Sequence, residues 1–323
     1  MTTNTAASTS TSTSTSTTMR AAAFTAYGPA EVLRPMDLPV PEPGPGEVRV
    51  RVRAAGVMPF DIGLREGVIR PPGAVFPVVP GNEFAGTVDA IGSGVMGFGP
   101  GDPVLGFSLL GSYAQYVVVP EENLVAKPDE MEWTVAGGFS GNAQGAHLAL
   151  SAMRVGPGDT VLINAAAGGL GTLAVQLAKA WGATTVIGTA SEANHDHLRA
   201  LGAIPVTYGE GLEARVRAIA PQGVDAALDG AGAEALRASA AVSRHADRVI
   251  TMVATEEARR LGLPELTGTR TAARLAEMTG LYAKGALRVH IRGEYALERA
   301  ADAQREVERG HGRGKVVLTW AAP

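Results

Sequence analysis

The run Val161-Leu-Ile-Asn-Ala-Ala-Ala-Gly-Gly-Leu-Gly-Thr172 constrains the fold of this chain more than any other segment. Its apolar start suits a buried strand ending near Asn164, and helix-forming residues begin near Gly171. Between them, Ala166-x-Gly168-x-x-Gly171 holds only small side chains, so the backbone can turn tightly and bring its amides close to a ligand. Free N–H groups and the positive end of the helix dipole at such a turn suit a pyrophosphate. Alone, the pattern fits any tight strand-to-helix turn; strand, loop, helix and second strand together point to a dinucleotide.

The next strand suggests which dinucleotide. It ends Gly188-Thr189-Ala190-Ser191, without the Asp or Glu that holds the ribose hydroxyls of NAD. Ser191, Asn194 and His195 follow, and Tyr208 ends the third strand, neutral groups suited to a 2′-phosphate. Glu192 opposes a phosphate unless it points away, and the nearest arginine is Arg199. The expected cofactor is NADP(H).

Apolar runs and Ala/Leu-rich runs alternate on both sides of this turn. Strands are predicted at Thr160–Asn164, Thr184–Thr189, Ile204–Thr207, Ala226–Asp229 and Val249–Ala254. Helices are predicted at Thr172–Trp181, Asn194–Leu201, Leu212–Ile219 and Ala233–Ser243. That alternation means a doubly wound parallel sheet. Before about Lys127 the chain is β-rich, with strands predicted at Arg20–Phe24, Asn82–Ile91, Pro103–Phe107 and Tyr113–Val119. Glu47–Arg53 alternates strictly, with valines at 48, 50 and 52 and arginines at 49, 51 and 53, as in a half-buried strand. The prolines from Pro35 to Pro45 read as a loop. Val289–Tyr295, Glu298–Glu308 and Lys315–Trp320 then read as strand, helix and strand, so the chain returns to its first domain. Residues 19–141 and 288–323 are therefore expected to form a β-barrel-like domain and 142–287 a parallel-sheet domain.

A length of 323 residues fits two domains. The net charge of −4, with dispersed basic residues, gives no sign of a nucleic-acid or anionic-membrane surface. The absence of cysteine excludes disulfides and thiolate metal sites, and fits a cytoplasmic protein. The apolar stretch Val161–Ala178 is interrupted by Asn164, the glycines and Gln176, so it suits a soluble strand–loop–helix rather than a membrane span. Residues 1–18 are almost entirely Thr, Ser and Ala and read as a disordered tail.

Further runs carry a family resemblance: Gly44-Pro-Gly-Glu-Val-Arg-Val, Pro80-Gly-Asn-Glu-Phe-Ala-Gly-Thr-Val, Gly101-Asp-Pro-Val-Leu-Gly and Ala165 to Lys179. Gly223-Val-Asp-Ala-Ala-Leu-Asp and His311-Gly-Arg-Gly-Lys-Val-Val-Leu complete the order. From Met19 onward the chain resembles the medium-chain dehydrogenase/reductase superfamily, specifically its zinc-free quinone oxidoreductase (zeta-crystallin-like) branch. The resemblance implies an α/β fold with a GroES-like catalytic domain and a Rossmann doubly wound domain. It also implies NADPH-dependent reduction of small-molecule quinones or activated alkenes (enones), usually by a homodimer. Cofactor contacts are expected at Ala167, Gly168, Gly169, Leu170 and Gly171, then at Ser191, Asn194, Tyr208, Val253 and Lys315. Where zinc-dependent members carry a Cys and a Gly-His-Glu segment, this chain reads Val57-Met58 and Gly81-Asn82-Glu83, so no metal is expected.

Without a metal, the oxygen that gains charge on hydride transfer needs a hydrogen-bond donor. Tyr113, Ser140 and Asn142 are the candidate donors, with Met58 and Phe60 as apolar walls. Tyr113 reads equally as a packed strand residue, and Asp61 reads as a cap for the turn after Pro59. Met58 stands where zinc-free relatives often carry Asn, and Gln144-Gly145 where they often carry Leu-Thr, so the substrate side departs from the pattern. That leaves open a pathway-specific cyclisation or unusual reduction in secondary metabolism, and a non-catalytic nucleotide-binding role. His195 and His197 stand two apart on a helix and point away from one another, which argues against a metal pair. Arg270–Leu287 reads as an ordinary amphipathic helix packed on the sheet.

Overall fold

The computed structural model describes residues 17–310 and 312–320. Of the tail expected at 1–18, residues 1–16 lie outside the described residues, whereas Thr18 opens the first strand. That strand, β1 (Thr18–Ala23), pairs antiparallel with β2 (Arg34–Pro39), where the prolines had suggested a loop. β2 is the edge of a two-stranded sheet. Pro35 and Pro39 share the side away from β1, where a missing N–H breaks no ladder bond.

The barrel-like half continues with β3 (Glu47–Val57), α1 (Pro59–Glu66), β4 (Glu83–Ile91), β5 (Pro103–Phe107), β6 (Tyr116–Pro120) and β7 (Leu124–Ala126). The valines of the alternating run turn inward: Val48, Val50 and Val52 are buried with Phe24, Phe84, Val117 and Leu318. Two helices, α2 (Trp133–Gly137) and α3 (Ser140–Ala152), lead into the second half.

There β8 (Thr160–Ile163), α4 (Gly169–Ala180), β9 (Thr185–Thr189), α5 (His195–Ala200), β10 (Ile204–Val206), α6 (Leu212–Ile219), β11 (Ala226–Asp229), α7 (Ala233–Val242) and β12 (Val249–Thr251) alternate as expected. The five strands lie parallel in the order β10-β9-β8-β11-β12, with β8 central and the order reversing around it. α4 begins earlier than expected because Gly169, Leu170 and Gly171 enter the first helical turn, with Gly168 as its extended N-cap. The expected helix at 194–201 divides into a 3-10 turn, Glu192–Asn194, and α5.

After α8 (Thr255–Arg260), α9 (Ala272–Ala283) is capped by the Thr271 hydroxyl, which accepts from the Arg274 amide. It is shorter at both ends than the amphipathic run suggested. The chain then returns through β13 (Ile291–Ala296), α10 (Ala300–Glu308) and β14 (Lys315–Thr319). β14 lies between β13 and β3 in the seven-stranded sheet, antiparallel to β3. A second apolar core, containing Phe139, Leu150, Ile163, Leu173 and Met278, packs α3, α4 and α9 on the parallel sheet. Among the described residues no helix is long and apolar enough to cross a membrane.

Candidate active site

The turn after β8 is built by its neighbours on β9 and β11. The Thr189 hydroxyl donates to Asn164 Oδ1 at 3.1 Å and accepts from the Ala165 amide at 3.1 Å. Asn164 Nδ2 donates to Ser239 Oγ at 2.7 Å. These bonds hold Ala165 at φ 53°, a left-handed conformation unusual for a residue with a Cβ. Gly171 must be glycine: a Cβ there would lie 2.3 Å from the Ala165 carbonyl oxygen. At Gly169 it would lie 2.4 Å from Asn142 Nδ2.

The first helical bond runs from Thr172 N to Gly168 O, so among the described residues the amides of Gly169, Leu170 and Gly171 have no acceptor. Three free donors at the start of a 12-residue helix form an anion cradle suited to a diphosphate. At the tip of β9, Asn194 Nδ2 donates to Ser191 Oγ at 3.1 Å. His195 Nε2 is sealed from solvent without a partner. Tyr208 is 45% exposed and Val253 is 58% exposed, both just beyond the C-terminal ends of parallel strands. Ligands of doubly wound sheets bind at those ends. The residues present therefore fit a dinucleotide.

Lys315 sits at the junction of the two halves. Its neighbour Gly314 bridges to Gly168 and donates to the Ala167 carbonyl at 3.1 Å. The Lys315 side chain is buried, with Nζ 2.5 Å from Oε1 of fully buried Glu83. The contact is an ion pair rather than an aligned hydrogen bond. Glu83 Oε2 accepts from the Gly141 amide at 2.6 Å, tying β4 to the start of α3.

Beside this pair, Asp61 is wholly buried and accepts from the Met58 amide at 2.9 Å, the Gly81 amide at 3.2 Å and the Tyr113 hydroxyl at 3.0 Å. Burial raises its carboxyl to about 6, against the lowering pull of the Met58 amide, the Lys315 charge and the Tyr113 hydroxyl. Desolvation and the Asp61 carboxylate push the Tyr113 hydroxyl well above its ordinary range. The capping role expected of Asp61 is what the geometry shows.

The expected donors sit in different hydrogen-bonding surroundings. Tyr113 is fully buried and committed to Asp61. Ser140 is fully buried and accepts from Gln144 Nε2 at 3.1 Å. Gln144 Oε1 in turn accepts from the Thr271 amide at 2.8 Å, joining α3 to α9. Asn142 faces Gly169 in the nucleotide turn, and the Met58 sulfur lies against Gly141.

Sequence reasoning missed the Glu83–Lys315 pair and Arg270. Glu83 left a signal, being an acid beside Phe84-Ala85-Gly86 at the head of an apolar strand. Arg270 left none, because it reads as the exposed first residue of a helix. In the structure it reaches from the nucleotide half across to the barrel half. Nη1 donates to Asn82 O at 2.8 Å and Nη2 to Ser108 O at 2.6 Å, with the guanidinium 5.1 Å from the Phe107 ring centre. Nη1 also lies 3.4 Å from Asn82 Oδ1.

With this geometry in place, comparison with known proteins places the chain. Residues 44–129 match the alcohol dehydrogenase GroES-like domain family, and residues 201–318 match the zinc-binding dehydrogenase family. A solved structure described as an NAD-dependent alcohol dehydrogenase is 32% identical, covers 93% of this chain and 99% of its own, and superposes with a TM-score of 0.83. The chain belongs to the medium-chain dehydrogenase/reductase superfamily.

Within the superfamily, a mycobacterial protein solved in complex with NADPH is 30% identical, with coverage of 93% and 99% and a TM-score of 0.83. The pikromycin polyketide synthase component of Streptomyces venezuelae is 35% identical over 266 residues, which are 75% of this chain and 7% of that protein. A chloroplastic quinone oxidoreductase of Triphysaria versicolor is 34% identical over 199 residues, 57% of this chain and 59% of that one. The chain thus spans less than two thirds of the length of these curated relatives.

Zinc, which the second family's description implies, does not suit the residues present. At the corresponding positions Met58 offers a thioether, Asn82 turns its oxygen atoms to Arg270, and Glu83 is already neutralised by Lys315. Two cations beside one spent carboxylate repel a dication.

Proposed function

We propose that this medium-chain dehydrogenase/reductase is a zinc-independent, NADPH-dependent oxidoreductase that reduces a small-molecule quinone or activated alkene by hydride transfer. The observation that carries the reading is the turn at Ala165–Gly171, with its three free amides pointing out of α4. When bound there, the nicotinamide supplies a hydride to an electron-poor carbon of the substrate. The amides of Gly169, Leu170 and Gly171 hold the pyrophosphate, with Ala167 and Gly168 shaping the turn. Ser191, Asn194 and Tyr208 surround the adenosine end, with Val253 beside the chain's path toward the nicotinamide. The tip of β9 supports a 2′-phosphate over a bare ribose, since Ser191 and Asn194 stand there with no acid where an NAD site holds one.

On the substrate side, the oxygen that gains charge needs a donor with no partner of its own. Asn82 provides one: its oxygen atoms face Arg270, and its Nδ2 has no acceptor among the described residues. Arg270 fixes that orientation and adds positive charge near the developing oxyanion. Met58 supplies an apolar wall, while Ser140 and Asn142 position α3 against the turn. The domain limits follow the chain's return: 19–141 and 288–323 form the catalytic part and 142–287 the nucleotide part. Assembly as a homodimer belongs to the same reading.

A panel of quinones and enones, followed by loss of NADPH absorbance, tests this function. Turnover with NADPH exceeding that with NADH, and lost preference when Ser191→Asp restores an acid at the tip of β9, is the expected result. Tight NADPH binding without turnover on any member would overturn it.

One observation favours a second reading. The likeness to a polyketide synthase component, together with Gln144 and Gly145 beneath the site, suits a pathway-specific enzyme catalysing a cyclisation or unusual reduction. Product formed from an electron-poor polyketide-like alkene without net NADPH oxidation would select this reading over the first.

A further inference from the structure

A second concave site lies between α4, α5 and the linker that leaves α9. It encloses about 660 Å³ and is lined by Thr172, Gln176 and Lys179 of α4, His197 of α5, and Arg288 and His290 of the linker. The spacing of the α4 residues puts them on one helix face. Gln176 holds the linker in place: its Nε2 donates to Arg288 O at 2.9 Å and its Oε1 accepts from the Arg288 amide at 2.8 Å. The volume is that of a small-molecule site.

The charge of this groove is one-sided. No carboxylate lines it, and Arg313 adds its charge to both histidines. Burial first, then Arg313, lowers the pKa of His197 and of His290, with His290 also acting on His197. Every other arginine of the chain donates to a neighbour, pairs with an acid or lies over an aromatic ring, as Arg292, Arg199 and Arg51 do. Among the described residues the side chains of Arg288 and Arg313 do none of these. One unspent guanidinium, Arg288, lines the hollow beside two histidines, and a second, Arg313, lies close enough to act on both, with no carboxylate in the lining.

We propose that this groove binds a small phosphate-bearing molecule, separately from the nucleotide turn. Guanidinium forks bind phosphate oxygens in pairs, and imidazole and hydroxyl groups supply further donors. His197 Nε2 lies 3.4 Å from Thr172 Oγ1, so the histidine of α5 and the hydroxyl of α4 meet at the groove.

The test is titration of the full chain with inorganic phosphate, pyrophosphate and ADP at constant ionic strength, with saturating NADPH present, read by calorimetry. Arg288 and Arg313 are both exposed, so the double variant Arg288→Ser/Arg313→Ser keeps the fold, checked by its melting temperature. The expected result is anion binding in the presence of NADPH that the double variant weakens at least about tenfold, with NADPH affinity unchanged. Preference for pyrophosphate or ADP over phosphate identifies a larger ligand; preference for phosphate identifies the free anion. Either preference supports the site if the double variant loses it. Binding abolished by NADPH, binding equal in the double variant, or no binding overturns it. Whether the turn at Ala165–Gly171 holds NADPH is read separately, from titration of the parent chain with NADPH alone.

Discussion

Lys315 Nζ lies 2.5 Å from Glu83 Oε1, so the chain's last strand neutralises a carboxylate buried at the head of β4. Removing one partner of such a pair leaves a desolvated charge, at a cost of about 3–5 kcal/mol. Lys315→Met is expected to destabilise by that order in urea denaturation. Adding Glu83→Gln to it should recover part of the loss; a double variant no more stable than the single would show that the charge was not the cause.

Asp61 gives a pH dependence whose sign is unusual for an acid. Its carboxyl titrates near 3.8 in the unfolded chain and about 6 in the fold. Between those values the folded state keeps a proton that the unfolded state has lost. Stability from this group is therefore fully present below 3.8 and lost as pH rises through 6, by on the order of 3 kcal/mol. Melting temperatures of Asp61→Asn should lack this one-proton decline; parallel profiles for the variant and the parent would contradict it.

Gly169 and Asn142 offer a paired test of the nucleotide turn. A Cβ at Gly169 would meet Asn142 Nδ2 at 2.4 Å. Gly169→Ala is expected to weaken NADPH binding about tenfold by displacing the turn, a loss of ~1.4 kcal/mol. Asn142→Ala in the same chain should restore much of it, because the obstruction is the end of a side chain. Fluorescence titration with NADPH measures both; a double variant no better than the single would place the strain elsewhere.

Arg270 holds the two halves together by charged hydrogen bonds to Asn82 O and Ser108 O. Bonds from charged groups contribute about 1.5–3 kcal/mol each. Arg270→Ala is expected to lower kcat/KM strongly and to speed hydrogen exchange at Asn82 and Ser108. Arg270→Lys, with one ammonium in place of a fork, should fall between. Unchanged exchange in Arg270→Ala would show that the cleft closes without it.

Much of this was legible in the sequence because it is periodic or local. The valine alternation at 48–52 marked a half-buried strand, and the glycines at 168–171 marked the turn, each signal lying within a few residues. The proline-rich edge of β2 misled, because proline argues against strands only where its N–H is needed. Glu83 with Lys315, and Arg270 with Asn82, depend on residues far apart in the chain meeting in space. Tyr113 and Ser140 read as donors by type, but what each meets lay outside the local pattern: the Tyr113 hydroxyl donates to Asp61, whereas the Ser140 oxygen accepts from Gln144.

The placement of β14 carries a consequence for the order in which the fold can close. The seven-stranded sheet needs Val316–Thr319 beside Val57–Ala54, so its interior stays open until these distant segments of the chain have met. Loop closure over so long a separation is slow to reward its entropy, whereas each turn of the parallel sheet closes locally. The nucleotide half, whose contacts are local, can therefore form before the barrel half closes. Until β14 docks, Glu83 is without the counter-ion that Lys315 supplies, so one strand both closes the barrel and, through Gly314, fastens it to the nucleotide turn at Gly168.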